Sequence, residues 1–277
     1  MINFNGKCYS RYNDIPEEQL TRLNALPVYT HHFLAFQGKI ALLEPHYFAI
    51  MANLRRFRLE IPMDFTLTYF QEQLDQLNSD QDNGFDIQKV TLKFYRSSES
   101  IKAKAVVPLL FIMETQKGQW QSKDFNLILY KDHSILTSEY SNLFQTNESL
   151  RELGRVFAYE NGFDAALIMN DQKRLAEGTH GAVFLFDKDQ LQTPKLAEGV
   201  VNTVLRNTLI DFIKNETELE VIESEVPVFS IQKAEELFLI SSEYGWLQVG
   251  QFRKKKFEAH RTEIIQQNFI NFLKNQL

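Results

Sequence analysis

Cysteine is almost absent. Cys8 is the single thiol in 277 residues, so no disulfide can form within the chain, and a reducing compartment, the cytoplasm, is expected. With no second cysteine and no clustered ligand residues, the sequence offers no spacing for a structural zinc site, and no metal is expected. Long apolar runs are missing too: none approaches the roughly 18 residues needed to span a bilayer. The opening Met1-Ile2-Asn3-Phe4-Asn5-Gly6-Lys7 lacks the charged-then-apolar layout of a secretory signal. No membrane association is expected. A positive excess is lacking as well. The 30 Lys and Arg are outnumbered by 36 Asp and Glu, giving a net charge of −6, which argues against broad nucleic-acid binding. The basic run Arg253-Lys254-Lys255-Lys256 is short and reads as a solvated loop or helix start.

What is present is core material. The chain is 44% hydrophobic and carries 23 Phe, enough for a sizeable interior at this length. Ile2 and Phe4 alternate with polar residues before the turn pair Asn5-Gly6. Pro27 to Ile40 reads as a hairpin turning at Gln37-Gly38-Lys39. Glu44-Pro45-His46 opens a helix that runs to Arg58, with the proline where its missing N–H does no harm. Asp64 is placed to cap a second helix over Phe65 to Leu77. Val90 to Tyr95 and Val106 to Met113 read as strands. The polar stretch Glu114 to Lys123 then interrupts the pattern. Beyond it, Phe125 to Tyr130 reads as a strand and Glu148 to Tyr159 as a helix stopped at Asn161-Gly162. Asp164 to Met169 and Gly181 to Phe186 read as paired strands, with the turn at Asp171-Gln172-Lys173. Val200 to Ile213 is expected to be helical, Ala234 to Ser242 contains a strand, and Thr262 to Leu273 has helical spacing. The division that follows is a small N-terminal α/β domain over 1–114, a linker over 115–123 and a large C-terminal α/β domain over 124–277. The overall class is a two-domain α+β or α/β chain.

The most informative run lies between Asn142 and Phe184. Leu175-Ala176-Glu177-Gly178-Thr179-His180-Gly181-Ala182-Val183-Phe184 resembles the signature E-G-[ST]-x-x-N-[VI]-F of the fold-type IV pyridoxal-phosphate (PLP) enzymes. That family includes branched-chain and D-amino-acid aminotransferases and aminodeoxychorismate lyase. The resemblance begins at Ile2-Asn3-Phe4-Asn5-Gly6 and continues through His46, Arg96, Glu177-Gly178 and Gly199 to Arg206. It ends at Glu236-Leu237-Phe238-Leu239-Ile240-Ser241-Ser242, which is similar to E-V-F-x-T-[ST]-[ST]. It implies the D-amino-acid aminotransferase-like architecture. It also implies a homodimer and a small-molecule ligand in a cleft between the two domains.

Carried over residue by residue, the resemblance makes Glu177 the carboxylate for the pyridine nitrogen of PLP, with Thr179, Val204 and Ser242 as further cofactor-side positions. The lysine that would form the imine falls in Asn142-Leu143-Phe144-Gln145-Thr146-Asn147, where the family reads N-L-K-T-L-N. Phe144 stands at the lysine position. The family's phosphate arginine, in H-L-x-R-L, corresponds to Ala49 within His46-Tyr47-Phe48-Ala49-Ile50. Its phosphate threonine, in G-I-T-R, corresponds to Leu205 within Thr203-Val204-Leu205-Arg206. The glycine-rich G-D-G-x-[FY]-E-T strand is replaced by Leu26 to His32. His31 and His32 point to opposite faces of that strand, and each reads either as a half-buried strand histidine or, if it faces the cleft, as an anion or acid–base group. His180 and Arg96 are the remaining ligand candidates, the latter otherwise a surface arginine at a strand end.

Three readings follow. The first is a degenerate homologue that keeps the scaffold, loses PLP chemistry and binds a small molecule. In this reading PLP is a cofactor by resemblance alone, not covalently held or not bound at all. The second is an active PLP aminotransferase or aminodeoxychorismate lyase with a non-standard lysine, such as Lys131 or Lys195. The third is a PLP-independent enzyme that reuses the cleft with His31 or His32, His180 and Arg96.

Overall fold

The computed structural model describes residues 1–21, 26–79, 86–97 and 109–277. The chain separates into two compact units, Met1–Gly118 together with Leu273–Leu277, and Gln119–Phe272.

The first unit is built on β1 (Ile2–Phe4), β2 (Lys7–Tyr9), β3 (Tyr29–Phe36), β4 (Lys39–Ile40), β5 (Ile87–Arg96) and β6 (Leu109–Lys117), with helices α1 (Glu17–Leu20), α2 (Leu43–Arg56) and α3 (Tyr69–Ser79). The six strands form an antiparallel sheet in the order β2-β1-β6-β5-β3-β4. Its two tight hairpins follow from local chemistry. Asn5 and Gly6 have φ of 48° and 90°, and Gln37 and Gly38 have 49° and 80°. Positive φ at both central residues is the I′ geometry whose twist suits a two-residue hairpin. On β5 the residues Gln88, Val90, Leu92 and Phe94 are buried in alternation. They meet a helical stripe of Phe70, Gln73, Leu74 and Leu77 on α3, and one of His46, Ile50, Met51 and Leu54 on α2. Spacings of three and four residues put each stripe on one face. Of the expected strand Val106–Met113, residues 106–108 lie outside the described residues.

The second unit contains β7 (Gln121–Ile135), α4 (Glu148–Glu160), β8 (Ala165–Asn170), β9 (Arg174–Gly178), β10 (Ala182–Asp187), β11 (Gln190–Pro194) and α5 (Val204–Glu216). It continues with β12 (Glu220–Ser224), β13 (Val226–Pro227), α6 (Ser230–Lys233), β14 (Leu237–Ser241), β15 (Gly245–Phe252), β16 (Lys255–Lys256) and α7 (His260–Lys274). Its sheet runs β12-β11-β10-β14-β15-β7-β8-β9-β13, with β16 paired to β15. The pairs β7–β8, β7–β15 and β11–β12 are parallel. The polar stretch 115–123 is strand through Lys117 and strand again from Gln121.

Three expectations are corrected here. The helix expected over Phe65 to Leu77 with Asp64 as cap runs Tyr69–Ser79, because the chain first turns at 64–68, where Thr66 N donates to Asp64 O at 2.7 Å and Tyr69 N to Thr66 O at 3.2 Å. The turn at Asp171-Gln172-Lys173 joins β8 to β9, with Ile168 opposite Glu177, whereas 182–187 pairs with β11 and β14. The helix expected from Val200 starts at Val204. Gly199 adopts the left-handed conformation, and the Thr203 side chain accepts a hydrogen bond from Arg206 N, an N-cap that fixes the start. The stop at Asn161-Gly162 is as expected. Gly162 has φ of 74°, and Phe163 N donates to Ala158 O and Gly162 N to Tyr159 O at 2.9 and 3.1 Å. This is the Schellman pattern.

Candidate functional site

In the second unit, β9 carries Glu177 inward beside β8, and α4 packs over β8 and β7. Three residues on α4, Glu148, Arg151 and Arg155, are spaced at i, i+3 and i+7 and so share one face. Arg151 Nε donates to Glu177 Oε1 at 2.8 Å, and the two side chains are 4% and 3% exposed. The second carboxylate oxygen, Oε2, accepts from Val201 N at 3.0 Å. Arg151 Nη1 donates to Glu148 Oε2 at 2.6 Å and to the carbonyl of Phe144 at 2.8 Å. The Arg151 guanidinium carbon lies 4.6 Å from the centre of the Phe144 ring. Arg151 Nη2 is buried without a hydrogen-bond partner. Arg155 continues the alternation of charge, bonding Glu148 Oε1 at 2.6 Å, Glu152 at 2.8 Å and the Thr179 carbonyl at 3.0 Å.

The loop that presents Val201 is held from two sides. Asn142 Nδ2 donates to the carbonyls of Leu196 and Val200, each at 2.7 Å, and Asn202 N donates back to Asn142 O at 3.0 Å. Glu198, 1% exposed, is gripped by Arg174 through Nε at 2.5 Å and Nη2 at 3.0 Å, and by Asn170 at 2.8 Å. Gly199 has no substitute in this loop, since a Cβ there would sit 2.6 Å from Ile135 Cγ2.

The other carried-over positions have separate surroundings. Thr179 is buried, and its Oγ1 accepts from Ala166 N at 3.1 Å. His180 Nδ1 lies 3.0 Å from that hydroxyl, and its ring is 4.4 Å from Tyr244. Burial, aided by the charge of Arg155, lowers His180 to about 4, so it is a neutral base near pH 7. Val204 opens α5 and Ser242 is buried just after β14. Arg206, 1% exposed, turns under α5 to Pro194 O and Glu223.

In the first unit, His31 and His32 separate to opposite faces of β3 as alternation requires. His32 Nδ1 lies 3.2 Å from Thr91 Oγ1. His31 joins a buried chain: Asn53 Nδ2 to Tyr29 Oη at 3.2 Å, Tyr29 Oη to His31 Nδ1 at 2.6 Å, and His31 Nε2 to His46 Nδ1 at 2.8 Å. Tyr29 Oη accepts from Asn53, and one proton is shared in each of the Tyr29–His31 and His31–His46 contacts, with the direction set by the tautomer of His31. Burial and the neighbouring His46 hold His31 well below the usual imidazole range, and burial takes His46 to about 3. Arg96 Nη2 donates to the Phe57 carbonyl at 2.6 Å, closing the C-terminal end of α2. His31 and Arg96 belong to the first unit and His180 to the second. Among the described residues, no group of three or more His, Cys, Asp or Glu is placed to hold a metal ion.

The Glu148–Arg151–Arg155 face was not singled out from the sequence. Its helical charge spacing is visible there, but its pairing with Glu177 depends on α4 lying over β8, the strand beside β9, which no local pattern reports.

The description "Amino-transferase class IV" matches residues 31–252 of the chain. Over 87 residues it is 30% identical to the probable branched-chain-amino-acid aminotransferase of Aquifex aeolicus (strain VF5), a match covering 31% of this chain and 28% of that relative. The aligned part is thus under a third of that curated relative's length. Among solved structures, the branched-chain amino acid aminotransferase of Escherichia coli superposes with a TM-score of 0.81 at 13% identity, covering 98% of this chain and 93% of that one. A Legionella pneumophila protein assigned as a 4-amino-4-deoxychorismate lyase gives 0.75 at 20% identity, covering 88% and 90%. At such identities these structures show the shared fold.

Proposed function

The chain belongs to the amino-transferase class IV family, and from that premise we propose that it keeps the scaffold of a PLP enzyme without its covalent chemistry, serving as a small-molecule binder or regulatory partner. Phe144 carries this reading. PLP brings an electron sink, but the protein must supply an amine for the imine and for proton transfer. A phenyl ring does neither, and the donors to Glu177 are Arg151 and Val201, neither of them a lysine. The phosphate end points the same way. Ala49 and Leu205 stand at the positions of the family's arginine and threonine, and alanine offers neither charge nor donor to a phosphate. These residues do not fit a covalently held PLP, and no catalytic step is derived through it. The same reading takes the protein to be a cytoplasmic homodimer.

The test is to add PLP to the purified protein, record the visible absorption of an internal aldimine, reduce with borohydride and map modified lysines by mass spectrometry. No band and no stoichiometric adduct is the expected result. A single modified lysine, whether Lys131, Lys195 or another, overturns the reading and restores an aminotransferase or lyase with that lysine as catalyst.

A further inference from the structure

We propose that Arg151 is the residue that keeps the cofactor ring out: its guanidinium satisfies Glu177 from within the chain and so occupies the contact that a protonated pyridine nitrogen would make. The inference rests on the reading that this chain forms no lysine imine, and it adds a cause that the loss of the lysine alone does not supply. A pyridinium presents one charged N–H to a carboxylate. Arg151 Nε presents the same to Glu177 Oε1 at 2.8 Å, and Val201 N holds the other oxygen at 3.0 Å. Both side chains are nearly fully buried, so the pair is weakly screened and an entering ring must displace a tethered cation.

The same guanidinium is tied to the lysine position. It donates to the Phe144 carbonyl at 2.8 Å, and its guanidinium carbon lies 4.6 Å from the centre of the Phe144 ring, a cation–π contact. A lysine at 144 would bring a second cation against Arg151. Phe144 and Arg151 therefore form one unit, and restoring either alone leaves the site closed.

Four forms of the 277-residue chain test this: the wild type, Phe144→Lys, Arg151→Met and the double variant Phe144→Lys/Arg151→Met. Each is titrated with PLP for aldimine absorbance and followed by its thermal midpoint with and without PLP. The wild type and Phe144→Lys are expected to show neither a band nor a shift. The double variant should form the aldimine at PLP concentrations roughly tenfold or more below the highest at which Phe144→Lys still shows none, the size of one charge-assisted hydrogen bond, and its midpoint should rise with PLP. If Arg151→Met does not fold, Arg151→Gln in the same two backgrounds gives the comparison. An aldimine in Phe144→Lys as strong as in the double variant overturns the role of Arg151 and leaves the proposed function standing. Absence of binding in every variant also overturns it. An aldimine in the wild type overturns the proposed function itself.

Discussion

At Glu177, a buried carboxylate is tolerable because Arg151 lies 2.8 Å away and Val201 N takes the second oxygen. Removing one member of such a pair strands the other charge, which costs about 3–5 kcal/mol, while replacing both by apolar residues of similar size is often near neutral. Arg151→Ala is therefore expected to lower unfolding free energy by about that amount in urea titration, and Arg151→Met/Glu177→Leu to cost less than either single change. A double variant as damaging as the two single losses together would mean that the residues do not act as a pair. At this scale the sequence was half legible. Glu177 stands in a recognisable run, and Phe144 can be counted back from it. Arg151 has no motif, because its role is set by a helix-to-strand contact across 26 positions.

Elements are legible where their chemistry is local. The primed turns Asn5-Gly6 and Gln37-Gly38 and the stop at Asn161-Gly162 depend on neighbours within a few residues, whereas the start of α3 at Tyr69 does not follow from Asp64, whose backbone is taken up by a preceding turn. The strand paired to β8 is not legible because β9, Arg174-Leu175-Ala176-Glu177-Gly178, mixes buried charge with small residues and carries no clean alternation. The start of α5 is not legible because Val200 and Val201 are apolar and buried without being helical. Two glycines give a contrast for testing. Gly162 has φ of 74° with nothing within 4 Å of a Cβ, so Gly162→Ala costs the left-handed penalty alone, about 1 kcal/mol. Gly199 has φ of 90° and a Cβ there would meet Ile135 at 2.6 Å, so Gly199→Ala costs about 3 kcal/mol. Thermal unfolding of the two variants checks the order, and equal effects would mean that the loop near Ile135 repacks freely.

Across the whole molecule, the two units carry unequal loads of buried imidazole. His31 and His46 are both neutral in the first unit, and His180 is the depressed one in the second. Their folded pKa values lie below the unfolded value near 6.5. Their contribution to stability is thus complete above that pH and is lost as pH falls, because the unfolded chain takes up protons that the folded chain refuses. Each such histidine removes about 1.4 kcal/mol per pH unit below 6.5 until its own folded pKa is reached. That point is about 3 for His46 and about 4 for His180. Between about pH 6.5 and about 4.5, above the range where the lowered carboxylates Asp171, Glu225 and Glu236 of the second unit take up protons, the first unit should therefore lose stability faster. Trp120 and Trp246 both lie in the second unit, so far-UV circular dichroism should begin to fall at a higher pH than the tryptophan emission changes. Coincident transitions would contradict unequal titration of the two units.

The contact between Arg151, Phe144 and Glu177 also bears on the descent of this chain. On the proposed reading, a change that puts lysine at position 144 meets a resident guanidinium, and one that removes the guanidinium first leaves a lone buried carboxylate. Neither single step would bring a gain, and Ala49 and Leu205 would still leave the phosphate end unmade. The pairing would then act as an evolutionary ratchet, because selection cannot see a benefit until several changes are present together.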